Sequence, residues 1–485
     1  MEPYSYTITQ AHNLLAKREL SAEELLRSCI KRVESTDGTL NCIVHRNFDS
    51  ALIEAKKMDA SGKFVLPLSG IPYLAKDVFC EKGVPTTACS NLLRDKDYLP
   101  PFDSTTTKRL KAAGAISFGK ANTDEFTMGA STETSCFGVT HNPWDTDRVA
   151  GGSSGGSAAA VSADECLFAL GTDTGGSIRQ PASFCSCTGI KVSYGRTSRF
   201  GVMSMASSLD TIGTLAKTVE DAALILQVIA GQDPLDGTTS PAPVSDYSAA
   251  LLKPVKGMKV GLPKEYFIEG MNPEVEKAVR EAAKVYESLG ATIVDVSMPH
   301  TKYAIATYYV IVPSEVSSNM SRYDGIRYGH TVSHPENLLD YYERVRSEGF
   351  GPEVKRRIMI GTYALSAGYY DAYYRKAQKV RTLVKQDFEE AFENVDVLLS
   401  PVAPTPAFKI GAHTGDPLQM YLEDVFTCPI NLSGMCGLAI PCGFSSENLP
   451  IGMQLIGPQF REDLLFQFGH AFQKETDWHG RKPGL

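Results

Sequence analysis

The sequence lacks any stretch of about 18 uninterrupted apolar residues, the length that a membrane-spanning helix needs. Its opening residues, MEPYSYTITQ, also lack the basic start and the apolar centre of a secretory signal. These two absences exclude an integral membrane protein and a classical export signal. We therefore expect a soluble protein of the cytoplasm.

Paired cysteines and the histidine motifs of metal sites are equally scarce. The eleven cysteines include no Cys-x-x-Cys pair, and the nine histidines include no His-Glu-x-x-His motif. These absences argue against a disulfide framework, a zinc ribbon and a zinc-dependent hydrolase. No metal site is expected, and most cysteines are predicted to be small buried apolar residues.

Basic residues are in the minority. Forty-eight lysines and arginines stand against 56 aspartates and glutamates, which gives a net charge of −8. A protein that holds nucleic acid through its phosphates needs an excess of positive charge. The chain is therefore not expected to bind nucleic acid by itself, and a role with nucleic acid would require a partner.

What the sequence does contain is the composition of an ordinary globular protein. Of its 485 residues, 43% are hydrophobic and 21% are charged, which excludes the disordered and fibrous classes. The length alone is compatible with about three domains or with one large α/β domain.

The first two segments of the chain combine helices with an α/β pattern. Residues 1–64 are predicted to be helical, with a capping box at Ser21-Ala-Glu-Glu24 ahead of an apolar helical face. Residues 65–300 alternate helical stretches with strand-like runs at 166–170, 258–262 and 292–296. Such alternation is typical of βαβ units and predicts an α/β core.

The last two segments leave this pattern and then return to it. Residues 303–393 are predicted to be an aromatic-rich helical insertion without a strand. Residues 394–485 return to the core sheet through VDVLLSPV, LAIPCG and PIGMQLIG. The predicted fold class is therefore α/β, with a large, mostly parallel mixed sheet flanked by helices and one helical insertion.

Two glycine–serine segments give the first indication of chemistry. Residues 151–157 read GGSSGGS and residues 172–179 read TDTGGSIR, and each leads into helix-like sequence. Glycines ahead of a serine allow a tight turn whose N–H groups can converge on a developing oxyanion. A phosphate site is the competing interpretation, although neither segment has a P-loop or GxGxxG pattern. A flexible linker is the alternative for the first segment.

A serine nucleophile needs a base, and no histidine lies in a recognisable triad context. Lys76 is the other candidate, because it lies in IPYLAKDV among apolar residues that fit a buried strand. A surface lysine paired with Asp77 is the alternative. A basic amine must be neutral, and lowering its pKa from about 10.4 to about 7 costs roughly 4.6 kcal/mol, which only burial can impose.

Taken together, the IPxxxKD context of Lys76, GGSSGGSAAAV from Gly151 and DTGGSIRQPA from Asp173 resemble the amidase signature family. The resemblance covers nearly the whole chain and implies a single amidase-signature domain over residues 1–485. Further segments at 122–133, 194–213 and 354–374 resemble the A subunits of tRNA-dependent amidotransferases. Such subunits release ammonia from glutamine, and partner subunits use it to convert Glu-tRNA(Gln) to Gln-tRNA(Gln).

The resemblance implies a role for each motif. Ser177 is expected to be the nucleophile, Ser153 a bridging serine at a cis peptide bond and Lys76 the base. The oxyanion hole is expected from the backbone amides of Thr174, Gly175, Gly176 and Ser177. In this scheme a glutamyl ester forms on Ser177 and water then cleaves it.

Free glutamine carries an α-ammonium and an α-carboxylate, so a selective site should pair both charges. By resemblance, the residues expected to bind the substrate are Arg357, Asp424, Tyr308, Thr127 and Met128. The adjacent Arg356 and Tyr309 are alternatives for two of these positions. Thr127 and Met128 are expected near the pocket mouth, with helix packing as their alternative role.

The same resemblance implies a heterotrimer with B-type and C-type amidotransferase subunits, in which charged tRNA binds through a partner. The sequence has no ATP motif, so no cofactor is expected in this chain, and ATP and Mg are expected on a partner subunit. The choice between Glu-tRNA(Gln) and Asp-tRNA(Asn) is left open. The alternative functions are a free-standing amidase of broader carboxamide specificity and a catalytically silent scaffold subunit.

Overall fold

The computed structural model describes residues 2–94, 99–413 and 415–485. Its strands are β1 (Ile43–Arg46), β2 (Pro72–Lys76), β3 (Ile116–Ala121), β4 (His141–Asn142), β5 (Asp145–Val149), β6 (Phe168–Asp173), β7 (Thr188–Lys191), β8 (Thr211–Ala216), β9 (Lys259–Pro263), β10 (Thr292–Val296), β11 (Val397–Pro401), β12 (Cys436–Phe444) and β13 (Pro450–Gly457).

The α-helices are α1 (Ile8–Lys17), α2 (Ala22–Leu40), α3 (Phe48–Ser61), α4 (Asn91–Arg94), α5 (Thr105–Ala112), α6 (Gly155–Ser162), α7 (Arg179–Cys185), α8 (Val219–Ile229), α9 (Tyr247–Leu251), α10 (Pro273–Ser288), α11 (Ala304–Met320), α12 (Leu338–Gly349), α13 (Pro352–Leu365), α14 (Lys376–Phe392), α15 (Pro417–Leu422), α16 (Cys428–Ser433) and α17 (Glu462–Glu475). Short 3-10 turns include Glu125–Thr127, and a π-helical turn spans Asp371–Arg375.

The core is an eleven-stranded mixed sheet in the order β1-β3-β2-β6-β8-β7-β12-β13-β11-β9-β10. The large mixed sheet flanked by helices that the sequence predicts is confirmed. Parallel pairing is found on its two flanks, where β2 pairs with β3 and β6, and β9 pairs with β10 and β11. The strands between the flanks pair antiparallel, so "mostly parallel" describes the flanks and not the centre.

The antiparallel centre has two physical causes. Strands β12 and β13 form a hairpin across the short loop 445–449, which allows only antiparallel pairing. Strands β6 and β7 run in the same direction around α7, but β8 lies between them and pairs antiparallel with both. Strand β7 is not among the strands predicted from the sequence, and its separation from β6 by β8 has no signal in the local pattern.

Individual elements follow their sequence signals closely. Strands β10 and β13 occupy the predicted residues, whereas β6 begins two residues after the predicted run begins and ends three residues after it ends. The capping box of α2 is formed, because the Ser21 hydroxyl accepts from Glu24 N–H while the Glu24 carboxylate accepts from Ser21 N–H. Segment 303–393 contains α11 to α14 and, among these described residues, no strand.

Helices α11 and α13 cross in very close contact. A Cβ placed on Gly361 of α13 would lie 1.8 Å from the carbonyl oxygen of Pro313 in α11. Only glycine allows two helix backbones to approach this closely. Within residues 2–94, 99–413 and 415–485, none of the helices combines the length and apolar character needed to cross a membrane.

The helix crossing generates a stability prediction. Gly361→Ala forces α11 and α13 apart, and such overpacking costs about 1–3 kcal/mol, so we expect a lower thermal unfolding midpoint. Gly38→Ala is the matched control, because Gly38 lies in α2 and, apart from its chain neighbours and the adjacent backbone of that helix, no described atom is within 4 Å of the position that its Cβ would take. Alanine favours helix at such a site, so the midpoint should stay unchanged or rise. Equal midpoints in the two variants would contradict the close crossing.

Candidate active site

The sequence motifs converge at one edge of the sheet. Lys76 is the last residue of β2 and Asp173 is the last residue of β6, and these two strands are parallel neighbours. Their carboxyl ends therefore lie side by side. The chain after β6 forms the TGGS turn, and the GGSS turn ahead of α6 packs beside it, since Ser154 N–H donates to the carbonyl oxygen of Ser177 at 3.1 Å.

Lys76 is fully buried and surrounded by hydroxyl groups. Its Nζ lies 2.7 Å from Ser153 Oγ, 2.9 Å from Ser154 Oγ and 2.9 Å from Thr172 Oγ1. Burial lowers the pKa of Lys76 to about 7, and the negative charges of Asp124 and Asp173 oppose this shift. The surface pairing with Asp77 is not observed.

The carboxylate of Asp77 instead accepts hydrogen bonds from the backbone and hydroxyl of Thr87 and from the backbone N–H of Cys89. Both Asp77 and Lys76 are buried. A lysine at this position therefore has no solvent to stabilise its charge, which is the condition that a neutral amine requires.

The three serines of the site differ in exposure. Ser153, at the cis Gly152–Ser153 peptide bond, is fully buried, whereas Ser177 keeps 8% of its surface exposed. Ser154 accepts from Lys76 and donates its hydroxyl to the carbonyl oxygen of Thr172 at 3.3 Å. Ser177 is thus the serine that a substrate can approach, and Ser153 is the buried serine in contact with Lys76.

The TGGS turn is held from behind by a buried ion pair. Arg179 and Asp173 form a salt bridge of 3.0 Å with neither side chain exposed, and Asp173 also accepts from Ile178 N–H at 3.1 Å. The hydroxyl of Thr427 donates to the carbonyl oxygen of Gly175 at 2.5 Å. These contacts fix the turn without using the backbone N–H groups of Gly175, Gly176 and Ser177.

Those N–H groups are available for a ligand. Among the residues that the structure describes, none accepts a hydrogen bond from the backbone N–H of Gly175, Gly176 or Ser177. A Cβ on Gly175 would lie 2.4 Å from the Tyr308 hydroxyl, and Gly176 has a φ of +147°. The turn therefore requires glycine at both positions and presents a set of donors suited to an oxyanion.

Thr174, the first residue of the turn, contributes its hydroxyl to the structure. Thr174 Oγ1 donates to Asp210 Oδ1 at 2.7 Å, and Asp210 accepts in addition from the backbone N–H groups of Met205 and Ala206. This network links the turn to the loop at 205–210 and so orients its backbone.

A cavity of about 380 Å³ adjoins the turns. Its lining includes Arg357 and Glu353 from α13, Tyr421, and the backbone of residues 129–131, against which Gly152 packs. Arg357 is 4% exposed, and its Nε donates to Glu353 Oε1 at 2.8 Å. Within the described part of the chain, its two Nη groups donate to no protein acceptor.

Asp424 and Tyr308 pack directly against the TGGS turn. Asp424 Oδ1 lies 3.2 Å from the position that a Cβ on Gly176 would take. Burial raises the pKa of Asp424 to about 8, although Arg357 opposes the shift, and the Tyr309 hydroxyl donates to its carboxylate at 3.4 Å. One cation and one acidic side chain thus flank the serine-bearing turn.

The structure separates Thr127 and Met128 from this cavity. Met128 is fully buried in the core, and the hydroxyl of Thr127 lies 3.2 Å from the sulfur of Met205. Thr127 borders a different, narrow cavity together with Thr172 and Asp210. The two residues lie near the catalytic turns, but neither lines the cavity that Arg357 borders.

Sequence reasoning missed several residues of the site. Asp124 is buried, accepts from Thr132 N–H at 2.9 Å and packs so closely that a Cβ on Gly152 would lie 2.3 Å from its carboxylate. The missed residues are Asp124, Thr172, Glu353, Tyr421 and Thr427. Thr172 lies within the recognised motif and could have been found there, whereas the contact of Thr427 with Gly175 leaves no local sequence signal.

One group of buried side chains brings possible metal ligands together, namely Asp37, Cys42 and Glu165, whose ligand atoms lie within 4.8 Å of one another. Asp37 Oδ1 accepts from the backbone N–H groups of Cys42 and Ile43, and its other oxygen accepts from Arg46. The Asp37 carboxylate thus closes the end of α2 and the turn into β1, which accounts for this cluster without an ion.

Comparison with known proteins also indicates an amidase. The family model described as Amidase matches residues 24–466. The chain is 53% identical to the A subunit of glutamyl-tRNA(Gln) amidotransferase from Geobacter metallireducens over the full length of both chains. It is also 53% identical to the corresponding A subunit from Chloroflexus aggregans, covering 100% of this chain and 99% of that one.

Solved structures share the whole fold. The crystal structure of the A subunit of glutamyl-tRNA(Gln) amidotransferase from Thermotoga maritima superposes with a TM-score of 0.82 at 40% identity, covering 100% of this chain and 98% of that one. A 6-aminohexanoate cyclic dimer hydrolase superposes with a TM-score of 0.88 at 25% identity, covering 100% of this chain and 99% of that one. The chain therefore belongs to the amidase signature family.

Proposed function

We propose that this chain is the glutamine-hydrolysing A subunit of a tRNA-dependent amidotransferase. The observation that carries the proposal is the contact of 2.7 Å between buried Lys76 and Ser153 beside the glycine turn of Ser177. Full-length relatives, each named as the A subunit of glutamyl-tRNA(Gln) amidotransferase, support the choice of reaction. In this proposal the ammonia released serves to convert Glu-tRNA(Gln) to Gln-tRNA(Gln).

The chemical step is an acyl transfer through a Ser-Ser-Lys relay. Neutral Lys76 takes the proton of Ser153 as Ser153 takes the proton of Ser177, and Ser177 Oγ attacks the side-chain carboxamide of glutamine. The C=O electron pair moves onto the oxygen, where the free N–H groups of the turn stabilise it. When the C–N bond breaks, the relay returns the proton to the departing ammonia. Water then cleaves the glutamyl ester and releases glutamate.

The charged cavity suits the backbone end of free glutamine. We assign the α-carboxylate to Arg357, whose Nη groups are unused by the described residues, and the α-ammonium to Asp424. A bound ammonium favours the ionised form of Asp424 and so offsets the effect of burial on its pKa. Tyr308 lies beside the same glycine turn, with its hydroxyl next to Gly175.

The remaining parts of the reaction belong to partners in this proposal. The net charge of −8 disfavours binding of tRNA by this chain alone, so charged tRNA is assigned to a B-type subunit, with a C-type subunit completing a heterotrimer. ATP and Mg are assigned to a partner because no ATP motif occurs in this sequence. The relatives are named as one subunit of an amidotransferase, which supports an assembly of this kind. We assign this assembly to the cytoplasm.

A free-standing amidase is the second candidate, because the cyclic dimer hydrolase has the same fold. The pocket separates the two functions: a broad amidase has no use for a buried arginine and a buried aspartate beside its nucleophile. A silent scaffold is disfavoured by the intact arrangement of Lys76, Ser153 and Ser177.

The first prediction concerns the relay. Ser177→Ala should abolish glutamate release from glutamine and formation of the glutamyl-enzyme, both alone and with partner subunits. Lys76→Ala should lower kcat by several orders of magnitude, and the kcat of Ser153→Ala should be close to that of Lys76→Ala. In both variants only the oxyanion turn and the binding pocket remain to accelerate the reaction. The measurements are glutamate release and mass spectrometry of the trapped ester.

Ser162→Ala is the control for the relay variants, since its buried hydroxyl in α6 has no partner among the described residues. We expect it to retain full activity. A covalent glutamyl adduct on another residue of active Ser177→Ala would refute the assignment.

The second prediction concerns pH. Only neutral Lys76 can accept a proton, so kcat at saturating glutamine should fall about tenfold per pH unit below about 7 and level off above it. Asp124→Asn removes a negative charge that raises the pKa of Lys76, so the acid limb should move to lower pH. Saturating substrate separates this effect from ionisation of Asp424 in the empty pocket. An unmoved limb in Asp124→Asn would contradict the role of Lys76 as base.

The third prediction concerns the pocket. Arg357→Ala and Asp424→Ala should each raise KM for glutamine roughly 10- to 150-fold, because each removes a charge-assisted interaction of about 1.5–3 kcal/mol. Arg356→Ala, one position away on the exposed side of α13, should have a much smaller effect. Unchanged KM in both pocket variants, together with turnover of varied amides, would favour the free-standing amidase.

A further inference from the structure

Glu125 is a buried carboxylate that the reaction scheme does not use. It lies in the 3-10 turn that follows β3, is 4% exposed and borders the cavity that Arg357 borders. Its Oε1 accepts the hydroxyl hydrogen of Ser90, and its Oε2 accepts the backbone N–H of Gly351 at 2.9 Å. Both carboxylate oxygens are therefore already engaged by protein groups.

The contact with Gly351 is a contact with the beginning of a helix. Gly351 is the N-cap of α13, and a Cβ placed on it would lie 2.3 Å from Glu125 Oε2. The first N–H groups of a helix have no partner within the helix, and a carboxylate there is favoured by the helix dipole as well. Glu125 thus fixes the start of α13 against the loop that follows β3.

The other end of α13 is fixed by a different contact. Gly361 allows α13 to touch the backbone of α11 at Pro313, and α11 carries Tyr308. Arg357 lies on α13 between these two points of attachment. A helix held at both Gly351 and Gly361 can neither slide nor tilt without breaking one contact, so the position of the guanidinium depends on both.

The neighbouring residue serves the other half of the site. Asp124 packs against Gly152 beside the catalytic serines, while Glu125 reaches the helix of Arg357. Two consecutive acidic residues therefore connect one short turn to the nucleophile loop and to the pocket helix. This connection fixes how far Arg357 lies from Ser177.

We infer that Glu125 is a positioning residue for substrate selection, which holds the first turn of α13 so that Arg357 reaches the α-carboxylate of glutamine. The inference rests on the proposed function, because it takes glutamine as the substrate. In this inference Glu125 acts through α13, because its two oxygens already accept from Ser90 and from the N-cap of that helix.

The test compares two substitutions of Glu125 by steady-state glutaminase kinetics. Glu125→Ala should raise KM for glutamine about 5- to 20-fold and leave kcat within about threefold, because binding and not the relay is affected. Glu125→Gln should stay within about threefold of the wild-type KM, since the amide carbonyl can still accept from Gly351. Ser90→Ala removes one of the two contacts and should give an intermediate KM.

Two further arms show that the effect passes through Arg357. In an Arg357→Ala background, Glu125→Ala should add no further loss, because the side chain that it positions is absent. With 4-aminobutyramide, which lacks the α-carboxylate, Glu125→Ala should match the wild type.

Asp221→Ala is the matched control. Asp221, on α8, is a buried residue whose carboxylate accepts a hydrogen bond from Ile8 N–H in the first turn of α1. It has no role in the proposed glutamine pocket. Its loss should lower the thermal midpoint without changing KM for glutamine. The same KM rise in Asp221→Ala would reduce the effect of Glu125→Ala to general destabilisation and overturn the inference.

The outcomes separate the inference from the function on which it rests. A fall in kcat at constant KM, an equal KM rise in Glu125→Gln and Glu125→Ala, or additivity with Arg357→Ala would each overturn the positioning role. Unchanged KM in Arg357→Ala alone would instead remove the proposed glutamine pocket. An intact Arg357 effect with no effect of Glu125→Ala would refute the inference and leave the proposed function standing.

Discussion

A lysine amine that must stay neutral at neutral pH sets the strictest condition on this molecule. Lys76 meets it by ending a fully buried strand, with three hydroxyl groups in place of water. Burial prevails even though two nearby carboxylates favour the charged amine. Each carboxylate also has other partners: Asp173 pairs with Arg179, and Asp124 accepts hydrogen bonds from the 132–134 backbone and the hydroxyl of Thr134.

The ion pair of Asp173 and Arg179 connects that electrostatic condition to the shape of the turn. The same carboxylate that Arg179 neutralises also accepts from the first N–H groups of α7, and the arginine reaches Thr427 and Asn431 on the far side. Breaking a buried pair of this kind leaves an uncompensated charge, which is far more costly than the pair is stabilising. One interaction therefore holds the turn that carries the oxyanion donors and gives the buried Asp173 charge a partner close to Lys76.

The sequence predicted what depends on local pattern and missed what depends on packing. Strand β13, the capping box of α2 and the glycine turns follow from residues within a few positions of one another. The order of strands at the centre of the sheet does not, because the insertion of β8 between β6 and β7 is decided by side chains far apart in the chain. Arg357 and Asp424 were named only through a family resemblance.

The tyrosines of α11 show why such residues escape a pattern argument. Tyr308 and Tyr309 are consecutive, yet successive helical residues point about 100° apart, so they face different neighbours. Tyr308 packs on Gly175, whereas Tyr309 stacks on Tyr421 at 3.8 Å and reaches Asp424. Nothing in the sequence of α11 distinguishes these two roles, because the difference arises from elements more than a hundred residues away.

The tight packing around Gly152, Gly175 and Gly176 has a consequence for how this fold diversifies. None of these positions has room for a single added carbon atom, so these glycines cannot be replaced by residues with side chains. The opposite wall is made of long side chains from α13 and from the 421–424 segment, where exchange requires no backbone change. When a protein of this fold evolves toward a new amide substrate, we therefore expect substitutions in these helices and unchanged glycine turns.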